Sequence, residues 1–424
     1  MTEINKEVSS SEKKNKSTVL PGEPLVEIKN VSVDFPIKKP FPWSPKKCVQ
    51  AVTNVSLVIK KGQTFGVVGE SGCGKTTLAN TTIGLVTPTK GEVLFKGKNM
   101  FALDKATVKE ELDKMEKTQL HNKSELRVQK SILRHKPTAR EYSEMRRDMQ
   151  MIFQDPFSSL SPRMEVLQII GEPMMIRGGV TEEEVRNRIL ELLKLVGLDK
   201  KDLHRHASDF SGGQRQRLCI ARALSLNPEY LVCDEPVSAL DVSVHAQILN
   251  LLMELQKKLG LTYLFISHNL AVVKHVCTDL AVMYLGKIAE SGKTDKIFKK
   301  PLHPYTRALM SSVLDIDSRK EKERLILQGD IPSPIDPPVG CRFHQRCPEK
   351  IGMLCETFCP TLFEIEPEHF VACHLYHHCR PKEDLIREME EDEIEKRNEE
   401  IAAAQAIEIK ERKEAEEKER RKNS

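Results

Sequence analysis

At 424 residues, with 39% hydrophobic and 30% charged residues, the chain has room for one large globular domain with extensions, since domains commonly run about 100 to 200 residues. A formal net charge of +4, spread over both signs, gives no basic footprint for nucleic acid. No run of about 18 uninterrupted apolar residues exists to span a bilayer as a helix, so any membrane role must pass through a partner.

Residues 1–24 form a polar tail rich in Lys, Ser and Glu, without the apolar segment of a secretory signal, and the expectation is a cytoplasmic protein. Residues 25–35 (LVEIKNVSVDF) and 49–59 (VQAVTNVSLVI) alternate β-branched and apolar residues, and predict two paired strands joined loosely through a Pro/Lys segment at 36–47. Residues 64–68 are a short continuous apolar run, the pattern of a strand buried on both faces.

That strand runs into Gly69-Glu70-Ser71-Gly72-Cys73-Gly74-Lys75-Thr76, a G-x-x-x-x-G-K-[ST] loop, with Thr77 opening a helical run to residue 83. Strand, glycine loop and helix start are what phosphate binding needs. Glycines let backbone N–H groups turn inward, the helix N-terminus adds its positive dipole end, Lys75 supplies a point charge and Thr76 a hydroxyl for Mg²⁺.

Residues 104–147 are dense in Lys, Glu and Arg and predict a charged insertion, helical or partly disordered. Thr181 with Glu184 predicts a capping box, and Val185, Ile189, Leu192, Leu193 and Val196 follow at helical spacing before Gly197. Residues 230–233 predict a second buried strand, ending on Asp234 and Glu235. There one carboxylate can hold Mg²⁺ through water and the next can polarise an attacking water. A helix over 243–259 stopped by Gly260 and a strand over 263–266 complete an alternating, mainly parallel α/β pattern. The last segment, 381–424, mixes both charge signs and predicts a solvated helix or flexible tail.

Phe210-Ser211-Gly212-Gly213-Gln214 stands just before the helix-like run 215–224. With this segment the chain resembles the ATP-binding-cassette (ABC) ATPases, whose hallmark it is between the phosphate loop and the Asp-Glu strand. The resemblance implies a P-loop NTPase cassette over residues 25–300: a RecA-like core, an antiparallel β subdomain and a helical subdomain over 155–225. It also implies a dimer in which each phosphate loop faces the partner's signature, so that ATP with Mg²⁺ is held by residues 69–77 of one chain and Ser211, Gly212, Gly213 and Gln214 of the other. Gln154 in MIFQDP is similar to the Q-loop glutamine, Ser238-Ala239-Leu240-Asp241 to the D-loop, and His268 in FISHN to the switch histidine. On this likeness Glu235, His268 and Gln154 are the catalytic candidates, and Thr76, Gln154 and Asp234 surround Mg²⁺.

Longer stretches, among them GVVGESGCGKTT, MQMIFQDPFSSLSPRM, DFSGGQRQRLCIARAL and GDIPSPIDPPVGCRFHQRCP, resemble the F-type ATPase of dipeptide and oligopeptide importers. This likeness implies a peripheral protein on the cytoplasmic face of the cell membrane. Its implied partners are a D-type ATPase subunit as heterodimer, two transmembrane permease subunits and an extracellular peptide-binding protein. Nickel and oligosaccharide importers share these motifs, so the cargo stays open. A soluble ABC ATPase acting on DNA or ribosomes is the rival class, though such chains typically carry two cassettes or a very long coiled-coil interruption. Three departures stand out. Asn269 replaces the usual aspartate after the switch histidine, no aromatic near Val49 is placed to stack on adenine, with Phe41 and Trp43 only distant candidates, and the insertion at 104–147 is long.

Six of the eleven cysteines lie between Cys341 and Cys379. Cys341, Cys347, Cys355 and Cys373 lie in an extension over 301–380 that resembles the C-terminal region of the peptide importers, some of which carry an iron-sulfur cluster at such positions. A 4Fe-4S cluster, a zinc drawing on His374 or His378, and unmetallated thiols all remain open, and Cys359 and Cys379 confuse the count. Cys73, Cys219 and Cys233, inside the nucleotide motifs, read as small buried residues.

Overall fold

The computed structural model describes residues 22–37, 47–101, 137–311 and 327–379. Alternation of β-branched residues makes β1 (Pro24–Pro36) and β2 (Cys48–Lys60) an antiparallel pair. Val26, Ile28, Val31 and Val33 are buried opposite Ile59, Leu57, Val55 and Val52. The wholly buried β3 (Thr64–Val68) leads into α1 (Lys75–Thr82), and β4 (Lys90–Phe95) and β5 (Lys98–Asn99) return to the first sheet in the order β2-β1-β4-β5.

The end of the charged insertion is α2 (Ala139–Asp148), started by a Thr138–Glu141 capping box and leading into β6 (Met149–Ile152). The rest of the insertion, both tails, Phe41 and Trp43 lie outside the described residues. A helical layer follows: α3 (Pro156–Ser159), α4 (Val166–Arg177), α5 (Glu182–Leu195) and α6 (Gly212–Leu224). The expected Thr181–Glu184 capping box opens α5.

Next come β7 (Tyr230–Asp234), α7 (Val242–Leu259), β8 (Thr262–Ile266), α8 (Leu270–Val276), β9 (Asp279–Tyr284), β10 (Lys287–Lys293), α9 (Thr294–Lys299) and α10 (Pro304–Ser311). Gly260 ends α7 in the left-handed region, as expected. The extension adds α11 (Gly352–Thr357), β11 (Phe363–Glu366) and β12 (His369–Val371). The second sheet runs β11-β12-β10-β9-β3-β8-β7-β6, parallel from β9 to β6 and antiparallel beyond β9.

The main sheet is covered on both faces, which is why its strands read as unbroken apolar runs. Tyr230 and Val232 pack toward the antiparallel sheet, while Leu231 and Cys233 pack toward the helical layer. Lys96 ties the layers together, its Nζ 2.8 Å from both Asp148 Oδ2 and Glu229 Oε1, just ahead of β6 and β7. Among the described residues, the extension forms no core cluster of its own. It borrows one by pairing β12 with β10, where buried His369 Nε2 meets buried Glu290 Oε1 at 2.7 Å.

The chain divides into two compact units, Met1–Ala372 and Cys373–Ser424. In the second, the described residues form a short 3-10 turn, His374–Cys379. No helix of the described residues is long and apolar enough to cross a membrane.

Candidate active site

The loop after β3 turns because two positions require glycine. Gly69 (φ 156°) and Gly74 (φ 102°) would each bring an added Cβ to 2.1 Å from a backbone oxygen, Met283 O and Ala51 O respectively. Gly74 also occupies the N-cap of α1, so the helix begins where the glycine turn ends. Lys75 is 6% exposed, and its Nζ donates to Gly69 O at 2.9 Å and Glu70 O at 3.0 Å, holding the ammonium inside the loop.

Thr76 Oγ1 donates to Asp234 Oδ1 at 3.3 Å, joining the start of α1 to the end of β7. Burial pushes the Asp234 carboxyl above its ordinary value; the Thr76 hydrogen bond opposes this, the Glu235 charge adds to it and the Lys75 charge opposes it. A cation between hydroxyl and carboxylate would relieve that cost. The pair fits Mg²⁺, which takes one or two carboxylates and completes its shell with phosphate oxygens and water.

Glu235 sits at φ 45°, a left-handed conformation uncommon for a residue with a side chain and one that gathers at functional sites. Its N–H donates to Ile266 O at 3.0 Å, anchoring it to β8. Its Oε2 accepts from Gln154 Nε2 at 3.0 Å and lies 3.1 Å from His268 Nδ1. Three residues distant in sequence, on the loops after β6, β7 and β8, thus meet on one carboxylate. Asn269 caps α8, its Oδ1 accepting from Ala271 N at 3.0 Å, so it serves as an aspartate would there and fixes the turn that carries His268.

Ser211 caps α6: its Oγ accepts from Gln214 N at 3.4 Å and its N–H donates to Gln214 Oε1 at 3.0 Å. A Cβ on Gly213 would fall 2.5 Å from Val244 Cγ1, so glycine lets α6 start close against α7. Asp241 is the N-cap residue of α7. Among the described residues, no hydrogen bond or ion pair joins Ser211–Gln214 or Asp241 to the phosphate loop or to Glu235.

Cys73, Cys219 and Cys233 are 4%, 3% and 0% exposed, and burial raises each thiol, which makes them packing residues as expected. The four-cysteine expectation finds no such support. Cys341 N donates to Cys355 O at 2.9 Å, yet among the described residues no three Cys, His, Asp or Glu side chains come together so as to hold a metal ion. Two contacts to the phosphate loop were not visible in the sequence: Arg346 on the Glu70 carboxylate and the Tyr305 hydroxyl accepting from Glu70 N at 2.9 Å.

Known proteins resemble this chain in sequence and in fold. The ABC transporter family profile matches residues 52–238, and that of the oligopeptide/dipeptide transporter C-terminal region matches residues 289–355. The oligopeptide transport ATP-binding protein AppF of Bacillus subtilis is 44% identical over 356 residues, 84% of this chain and 98% of that protein. The putative oligopeptide transport ATP-binding protein YkfD of the same bacterium is 44% identical over 363 residues, covering 85% and 98%. OppF of Salmonella typhimurium, an oligopeptide transport ATP-binding protein, is 43% identical over 354 residues, covering 82% and 95%. The structure of cbiO1 from Clostridium perfringens, part of the ABC transporter complex cbiONQ, shares the fold. Its TM-score is 0.50 at 23% identity, over 66% of this chain and 92% of that one. The chain belongs to the ABC transporter family of ATPases. Within it, the chain groups with the oligopeptide transport ATP-binding proteins.

Proposed function

We propose that this chain hydrolyses ATP to energise the import of dipeptides or oligopeptides, docked on the cytoplasmic face of the cell membrane. The observation that carries the chemistry is the meeting of Gln154 and His268 on the Glu235 carboxylate. Glu235 polarises the water that attacks the γ-phosphate, with His268 and Gln154 keeping its carboxylate oriented. Thr76 and Asp234, with Gln154 as a further ligand, would hold Mg²⁺, which supplies charge neutralisation at the phosphates. Lys75 and the inward N–H groups of residues 69–77 bind the phosphates themselves.

Ser211–Gln214 lie at a helix start and, among the described residues, make no hydrogen bond or ion pair to this chain's own phosphate loop. They suit the γ-phosphate of ATP held by a second cassette, a D-type subunit, with Asp241 at the same edge. Two transmembrane permease subunits and an extracellular peptide-binding protein complete the assembly. Beside Gln154 an open cleft of about 1130 Å³ is lined by Tyr142, Arg146, Gln150, Phe153, Ile176 and Arg177. Exposed Phe153 and Ile176 make it the face for a permease segment, and α2, the end of the charged insertion, forms one wall. Among the described residues no three His, Cys, Asp or Glu side chains are grouped to hold a metal ion, and no step of the mechanism passes through an iron-sulfur cluster or zinc.

The test is Glu235→Gln in the full-length protein assembled with its partners. ATP binding should persist while turnover falls about 10²-fold or more, the usual worth of a general base. Turnover within threefold of wild type would show that Glu235 does not activate the attacking water.

A further inference from the structure

The extension reaches back to the phosphate loop. Arg346 places Nη1 2.8 Å from Glu70 Oε2 and Nη2 3.1 Å from Glu70 Oε1, a bidentate fork on the first residue after Gly69. The Arg346 side chain is 8% exposed, and its guanidinium lies 5.8 Å from the Tyr284 ring.

The short turn that carries it, residues 341–347, is pinned at its other end. Arg342 donates to Leu285 O, to Gln50 Oε1 at 2.6 Å and to Thr53 Oγ1 at 3.0 Å. Phe343 is buried against Tyr284 and Tyr305, with ring centroids 5.2 and 5.4 Å away. Tyr305 in turn receives the Glu70 N–H.

This arrangement answers an electrostatic difficulty in the loop. Glu70 stands in the loop whose ammonium must receive polyphosphate, Lys75 Nζ holding its backbone carbonyl at 3.0 Å, and a carboxylate in such a partly buried loop opposes anion binding unless it is neutralised. We infer that Arg346 is a positioning residue for ATP binding: it neutralises Glu70 and braces the phosphate loop from the C-terminal extension. Nucleotide affinity is thereby tied to correct folding of a segment that the cassette chemistry does not otherwise use. The inference rests on the reading of residues 69–76 as the phosphate site, and a Lys75→Ala control separates the two.

The experiment is titration of full-length wild-type and variant proteins with a non-hydrolysable magnesium-ATP analogue. Arg346→Ala should weaken binding about tenfold, the scale of one lost charge-assisted contact. Glu70→Gln added to Arg346→Ala should restore affinity to within about threefold of wild type, because the uncompensated charge is gone. A merely structural brace predicts the opposite, a double variant no better than the single. Should Arg346→Ala not fold, Arg346→Lys keeps the charge, loses the fork, and should weaken binding about threefold. Unchanged affinity in a folded Arg346→Ala, or no recovery in the double variant, would overturn the inference. If Lys75→Ala bound the analogue like wild type, the phosphate-site reading would fail and this inference with it.

Discussion

Replacing Lys96 with Met tests how the site's scaffold is held. The side chains of Lys96, Asp148 and Glu229 are 9%, 10% and 18% exposed, so the substitution leaves two largely buried carboxylates without their shared cation. Breaking a buried ion pair by removing one partner costs about 3 to 5 kcal/mol. Asp148 keeps Arg147 at 3.0 Å and Glu229 keeps Lys61 at 3.1 Å, which places the expected loss near the lower end, about 3 kcal/mol. At about 2 °C per kcal/mol for a chain of this size, the melting temperature should fall about 6 °C.

The pH dependence fixes the sign. Burial works to raise both carboxyls, but the Lys96 hydrogen bond and charge, with Arg147 at Asp148 and Lys61 at Glu229, outweigh it and hold both below their ordinary values. Their contribution is therefore fully present above the unfolded carboxylate range, about pH 4, and is lost as pH falls through the folded values. Thermal melts of wild type and variant should differ by a constant amount from pH 8 to about pH 5 and converge below that. A shift under 2 °C at pH 7.5, or a gap that widens on acidification, would refute the reasoning.

Further expectations follow from the same geometry. Gly74→Ala, with a Cβ placed 2.1 Å from Ala51 O, should abolish nucleotide binding in a filter or titration assay, whereas alanine at open Gly72 should weaken it less. Asn269→Ala should cost about 1 kcal/mol by loss of the α8 cap and slow ATP turnover through a looser His268, while Asn269→Asp should keep both, as melts and steady-state rates would show. Glu290→Ala, which removes the buried carboxylate that accepts from Leu302 N and His303 N and meets His369, should destabilise by about 3 kcal/mol in chemical denaturation.

The paired strands, the three buried strands, the phosphate loop and the Thr181 and Gly260 helix boundaries were legible because each rests on local signals: period-two alternation, unbroken apolar runs, glycines and caps. The meeting of Gln154, Glu235 and His268 was reachable only through family likeness, since residues 154, 235 and 268 share no local pattern. The Arg346–Glu70 fork was not reachable at all. Nothing near Arg346 marks it apart from other arginines, and the contact exists only because the extension packs on the main sheet through β12 and Phe343. The cysteine spacings carried no such signal by themselves and left a cluster, a zinc and free thiols open; among the described residues Cys341 and Cys355 meet through their backbones.

The most direct test of the importer motor is peptide uptake by vesicles carrying the full transporter, with ATP inside on the side of this subunit. Wild-type protein should support ATP-dependent uptake of short peptides, peptide with its binding protein should stimulate ATPase activity, and Glu235→Gln should abolish both while the complex stays assembled. Peptide uptake that continues with Glu235→Gln, or ATPase activity that never couples to peptide in an assembled complex, would contradict that role.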